Sequence, residues 1–71
     1  MNNRPKINDV VALLSDQTEA KLARGQVGTV VEELDAENLL VEFSDEEGRA
    51  YAITPIRVSN TLVLHYQPEA A

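Results

Sequence analysis

The sequence predicts an all-β domain in which five short strands close into a small barrel, and three observations carry that prediction. Apolar residues come in brief runs with a period of two, as in Leu39, Val41 and Phe43 with Glu42 pointing the other way. Turn-forming residues interrupt those runs at short intervals, around Gly25, residues 35–38, residues 44–48 and Pro55. The chain is 71 residues long without a cysteine, which fits one domain with a modest core and no disulfide to brace it. Closing such a sheet also removes the exposed strand edges that a small domain can ill tolerate.

The elements follow in order. Residues 1–8 are polar, contain Pro5 and read as a flexible tail. Residues 9–14 form a Val- and Leu-rich run too short for a stable helix and are predicted as the first strand. Residues 15–24 offer Ser, Thr and Asp as helix caps, so one helical turn fits there, but Gly25 stops any helix and a long loop is expected. Residues 26–34 are the second strand. Its β-branched Thr29, Val30 and Val31 favour extended backbone, and Gly28 marks a bulge, a bend or a close backbone approach.

Residues 35–38 make a turn in which Asn38 can take the left-handed conformation. Residues 39–43 form the third strand, with Phe43 in the core. Residues 44–48 make a hairpin turn, with Gly48 where φ must be positive. Residues 49–54 are the fourth strand, Tyr51 and Ile53 sharing a face, and Pro55 ends it. Residues 56–61 connect, with room for one 3₁₀ turn, to a fifth strand over 62–65. Residues 67–71 are a flexible tail containing Pro68, which leaves residues 9–66 as the single domain.

The charge is unevenly spread. The net charge is −6, and from Glu32 to Glu47 the chain carries eight acids (Glu32, Glu33, Asp35, Glu37, Glu42, Asp45, Glu46, Glu47) and no base. Phosphate backbones are held by clustered Lys and Arg, so this segment repels nucleic acid and attracts a basic partner. No segment has the roughly 20 apolar residues that cross a bilayer, and no apolar leader follows the N-terminus, so a soluble cytoplasmic protein is expected.

Catalysis finds few parts. His65 is the single histidine and falls at a strand end, where a partly exposed hydrogen-bonding residue is the ordinary reading. Without cysteine or a second histidine, a transition-metal site would rest on carboxylates alone. Residues 45–48 lack the alternating oxygen ligands of a calcium loop, and residues 24–28 lack the Lys-Ser/Thr end of a phosphate loop. A glycosidase-like acid pair needs a cleft that a domain this small can hardly build. No enzyme, cofactor or metal is therefore expected.

Two resemblances add to this reading. Arg24–Glu32 followed by Leu40–Phe43 resembles SH3-like barrels of the KOW type, in which a Gly-x-x-Gly-x-Val strand precedes a hairpin with a Val-x-Phe strand. Over roughly residues 7–65 the chain is more similar to the DUF4926 family. Ile7 with Asp9–Leu13, Arg24–Glu32, Val41–Phe43, Asp45–Ala52 and Leu62–His65 match that family's motifs in order and spacing. These resemblances imply a five-stranded SH3-like barrel and a small bacterial partner of another gene product, with no catalytic motif to transfer.

Together these readings predict a protein-interaction module, of the antitoxin, immunity or accessory kind, that binds one basic protein through an acidic face spanning residues 32–47. Glu33, Glu37, Glu46 and Glu47 are its candidate charges, and Tyr51 and Tyr66 its candidate anchors. The alternative is a KOW-like contact to RNA or a ribonucleoprotein through Arg24, Arg49 and Arg57. It is disfavoured because acids outnumber bases twelve to six and the aromatics number three. A Val/Leu edge at the first or fifth strand would support a weak homodimer in place of a monomer.

Overall fold

The computed structural model describes residues 4–68 and 70. It is all-β. Strands β1 (Val10–Leu13), β2 (Val27–Glu33), β3 (Asn38–Ser44), β4 (Ala50–Arg57) and β5 (Thr61–Val63) form one antiparallel sheet in the order β4-β3-β2-β1-β5. Two 3₁₀ turns, Thr18–Ala20 and Val58–Asn60, lie in the loop after β1 and in the connection before β5. Among the described residues, no helix is long and apolar enough to cross a membrane.

Period-two alternation builds the core. Leu39, Val41 and Phe43 of β3 point inward beside Val11 and Leu13 of β1, Val30 of β2 and Ile56 of β4, and all are buried. A flat single-layer sheet leaves both faces wet. Burying these side chains completely without a helix requires the sheet to curl over its own inner face. Leu22, from the loop between β1 and β2, joins the same cluster at 3 % exposure.

The curl needs room on the inner face, and Gly28 provides it. Gly28 sits opposite both Val11 and Phe43. A Cβ there would lie 2.7 Å from Val41 Cγ1, 2.9 Å from the Glu42 carbonyl and 2.9 Å from the Phe43 ring. Close approach is thus the reason for this glycine. The bulge falls further along β2, where Val31 is the extra residue between the pairs Val30–Val41 and Glu32–Leu40. Gly28→Ala is expected to lose about 1–3 kcal/mol by overpacking, measured as a lower urea midpoint; an unchanged midpoint would show that the strands are free to part there.

The expectation of five strands in an all-β fold holds, and several details differ. Among the described residues β5 pairs with β1, no ladder joins it to β4, and β4 and β5 are the edges of the sheet. A three-residue β5 has little length with which to bridge two neighbours. Pro55 does not end β4, which continues to Arg57 with Pro55 opposite Leu40. An edge strand accepts proline because the nitrogen can face away from the neighbour. Asn38 begins β3 rather than turning left-handed; the positive φ values outside glycine belong to Asn8 and Lys21. Gly48 does take positive φ, at 81°.

Residues 4–8, expected as part of a tail, are tied to the sheet. Pro5 is buried, the Asn8 N–H donates to the Val30 carbonyl at 2.7 Å, and Arg4 grips the β2–β3 turn. The remaining tail assignments at residues 1–3, 69 and 71 lie outside the described residues.

Candidate functional site

The acidic segment folds as two turns with β3 between them. A strand of seven residues spans about 20 Å, so the β2–β3 turn and the β3–β4 turn lie at opposite ends of the sheet. The single acidic face expected over residues 32–47 is thereby divided. Glu33 and Glu37 belong to one end, Glu46 and Glu47 to the other.

At the first end the acids are engaged in structure. Arg4 Nε donates to Glu33 Oε1 at 3.2 Å, and its two terminal nitrogens donate to the carbonyls of Asp35 and Ala36. Arg57 lies 3.8 Å from Glu37 across the turn. Asp35 Oδ1 accepts the Glu37 N–H at 2.8 Å and the Asn38 side-chain amide at 3.1 Å. Those donors, the Glu37 N–H first, favour the ionised form and hold the Asp35 carboxyl below its usual range, with the Arg4 charge adding to the effect. These groups fasten the turn to the N-terminal segment and leave little charge to offer a partner.

The second end is more open. Asp45 Oδ1 accepts the N–H groups of Glu47 and Arg49 at 2.9 and 3.0 Å, shaping the turn from within. Arg49 pairs with Glu47, whereas Glu46 is exposed and forms no ion pair among the described residues. Behind the tip, Tyr51 is the extra residue between the pairs Phe43–Ala52 and Ser44–Ala50. Its ring tilts against Phe43 with centroids 6.5 Å apart, and its hydroxyl accepts from Gln26 Nε2 at 2.9 Å. Tyr51 is thus half-exposed yet fixed. Tyr66, beyond β5, is 86 % exposed and among the described residues makes no ring contact with the acidic hairpins.

One residue that the sequence reading did not select belongs with this end. Ile53 is 56 % exposed and lies directly opposite Glu42 on β3, which lies opposite Thr29 on β2. In the next outward row Pro55 faces Leu40 and Leu40 faces Glu32. The outer face of the β3–β4 hairpin therefore sets apolar side chains beside carboxylates. Its period-two signal was visible at Ile53, but which face of β4 looks outward depends on the register with β3.

Two of the three arginines of the alternative RNA reading lie far apart. Arg49 and Arg57 sit at opposite ends of the eight-residue β4, and each faces a carboxylate of its own turn. Among the described residues, no group of three or more His, Asp or Glu side chains is arranged to hold a metal ion.

Fold and surface together define a small all-β domain: one curled antiparallel sheet, a core made by its own inner face, and an acidic hairpin at one end. The chain belongs to the DUF4926 family, a domain of unknown function, whose model matches residues 7–69. No curated protein and no solved structure shows a significant match to it.

Proposed function

We propose that this domain is a binding module rather than an enzyme, and that it takes one basic protein partner through the β3–β4 hairpin. The observation that carries the reading is the exposed Ile53 directly opposite Glu42, with Glu46 and Glu47 at the adjoining tip and the fixed Tyr51 between them. Protein interfaces are organised around an apolar or aromatic centre, with charges at the margin that steer and select the partner. A surface of this kind suits an accessory, antitoxin- or immunity-like protein that masks a basic partner in the cytoplasm. Arg49 and Arg57, at opposite ends of β4 and each beside a carboxylate, give the RNA reading no comparable support.

The test is retention of proteins from host extract on the immobilised domain at low and high salt. Retention is expected to fall with salt and to be lost in Ile53→Asp and in the double variant Glu46→Lys/Glu47→Lys. Glu37→Lys, at the other end of β3, is expected to retain the same protein. If nothing is retained at either salt, or if the hairpin variants retain as well as the parent, the reading is wrong. Loss of retention after nuclease treatment alone would favour the ribonucleoprotein alternative.

A further inference from the structure

The two edges of the sheet are guarded unequally. β4 contains Pro55, which has no N–H to offer, and the extra residue at Tyr51; both features discourage a further strand. β5 has neither feature. Thr61, Leu62 and Val63 carry no charge, and among the described residues β1 is their one strand neighbour.

The backbone phase of β5 follows from its bonds to β1. The Leu64 N–H donates to the Val10 carbonyl at 2.9 Å, and the Leu14 N–H donates to the Asn60 carbonyl at 3.1 Å. By antiparallel alternation Leu62 also turns its backbone toward β1, and Thr61 and Val63 turn theirs to the outer edge. The Thr61 N–H is already held by the Val58 carbonyl, which leaves the Val63 N–H and the carbonyls of Thr61 and Val63 facing outward.

The side chains around that edge are apolar. Leu62 lies opposite Ala12, and Ala12 opposite Val27, in one outward row. Leu62 is 52 % exposed, Val27 45 %, and Leu14, on the same face of β1 by alternation, 48 %. None of the four is charged, in a chain whose net charge is −6.

We propose that β5 is the seam of a two-fold homodimer, pairing antiparallel about Leu62 with the β5 of a second copy. A second copy pairs with this edge by symmetry: the Val63 N–H of each chain meets the Thr61 carbonyl of the other, and the Val63 carbonyls stay open to water. The row Val27, Ala12, Leu62 then continues into the same three residues of the second copy in reverse order. Charge favours the same choice. The acidic tip at residues 45–47 adjoins the Ala50 end of β4, whereas β5 follows the turn at its Arg57 end, so joining at β5 keeps the two tips apart and joining at β4 brings the hairpins together. A basic protein would find no complementary charge in this row. The seam is small beside the roughly 800 Å² per partner of a standard interface, so the association is weak and depends on concentration.

The experiment is sedimentation velocity on the full chain over a wide dilution series at low and high salt, with amide exchange followed by NMR. The mass is expected to rise with concentration from 7.8 kDa toward twice that value. Added salt is expected to favour the dimer by screening the like charges of the two copies, opposite to its effect on a basic partner. The Val63 amide is expected to gain protection as the dimer forms. Leu62→Lys is expected to remain monomeric with an unchanged urea midpoint, since Leu62 lies outside the core. Glu46→Lys/Glu47→Lys is expected to leave dimerisation intact, so this inference and the proposed binding surface fail separately. A mass of 7.8 kDa at every concentration overturns the proposal, as does a dimer whose Val63 amide exchanges as in the monomer. Should Leu62→Lys prove unfolded, the Val63 amide of the parent chain decides.

Discussion

Phe43→Ala is expected to cause one of the largest losses of stability of any single substitution in the domain. Phe43 is the largest fully buried side chain, and it lies opposite Gly28 and Ala52, two residues with little side chain to move into a cavity. Truncating a buried Phe costs about 3–5 kcal/mol, and the cost is greatest where the site cannot collapse. A domain of this length has about 4–11 kcal/mol in total. The loss therefore takes most of the margin if the domain sits at the lower end. Urea denaturation followed by circular dichroism reads the outcome. The midpoint should fall by about 3 M, given a slope near 1 kcal/mol/M for a small protein. A shift below about 0.5 M would mean that the inner face of the sheet does not hold the fold together.

Leu22→Asp is expected to be as damaging, although the residue lies in a loop. Leu22 is buried in the same cluster as Val11 and Phe43, and its backbone exchanges hydrogen bonds with Gln17 at 2.8 and 3.0 Å. The loop between β1 and β2 thereby supplies a plug that a single-layer sheet otherwise lacks. An aspartate there places a charge inside an apolar cluster, at a cost of several kcal/mol. Leu22→Ala separates the two effects, losing about 2–5 kcal/mol through the cavity alone. A surface control such as Glu46→Ala should stay within about 0.5 kcal/mol of the parent. If Leu22→Asp unfolds at the parent's midpoint, the loop is an ornament on the sheet rather than part of its core.

These two residues show what the sequence disclosed and what it withheld. Phe43 was legible because Leu39, Val41 and Phe43 alternate with Glu42, and alternation is a local signal. Leu22 was not, because its neighbours read as a polar loop and its burial depends on where that loop returns across the sheet. The strands emerged near their true places for the same local reason. β4 ran past Pro55 because the prohibition on proline applies to strands with neighbours on both sides, and edge position is a property of the whole sheet.

The candidate site was legible in its chemistry and not in its geometry. Eight acids and no base fall within the stretch from Glu32 to Glu47, but β3 runs through the middle of it. Length of extended backbone, which composition cannot convey, puts Glu37 and Glu46 at different ends of the molecule. Arg4 illustrates the same limit. Nothing near it in sequence marks it as the group that binds the carbonyls of Asp35 and Ala36. The side of β4 occupied by Ile53 likewise rests on the register with Glu42.

The pairing of Val11 with Val63 has a kinetic consequence. Those residues stand about fifty positions apart, whereas the β2–β3 and β3–β4 hairpins close over short turns. Forming the β1–β5 ladder means closing a loop nearly as long as the domain before any contact rewards it. The β2–β3–β4 meander is therefore expected to assemble early and the β1–β5 ladder last, giving folding on the millisecond-to-second scale of sheet-rich domains rather than the microseconds of helical bundles. Substitutions at Val63 should then speed unfolding and leave the refolding rate nearly untouched, while those at Val41 should slow refolding.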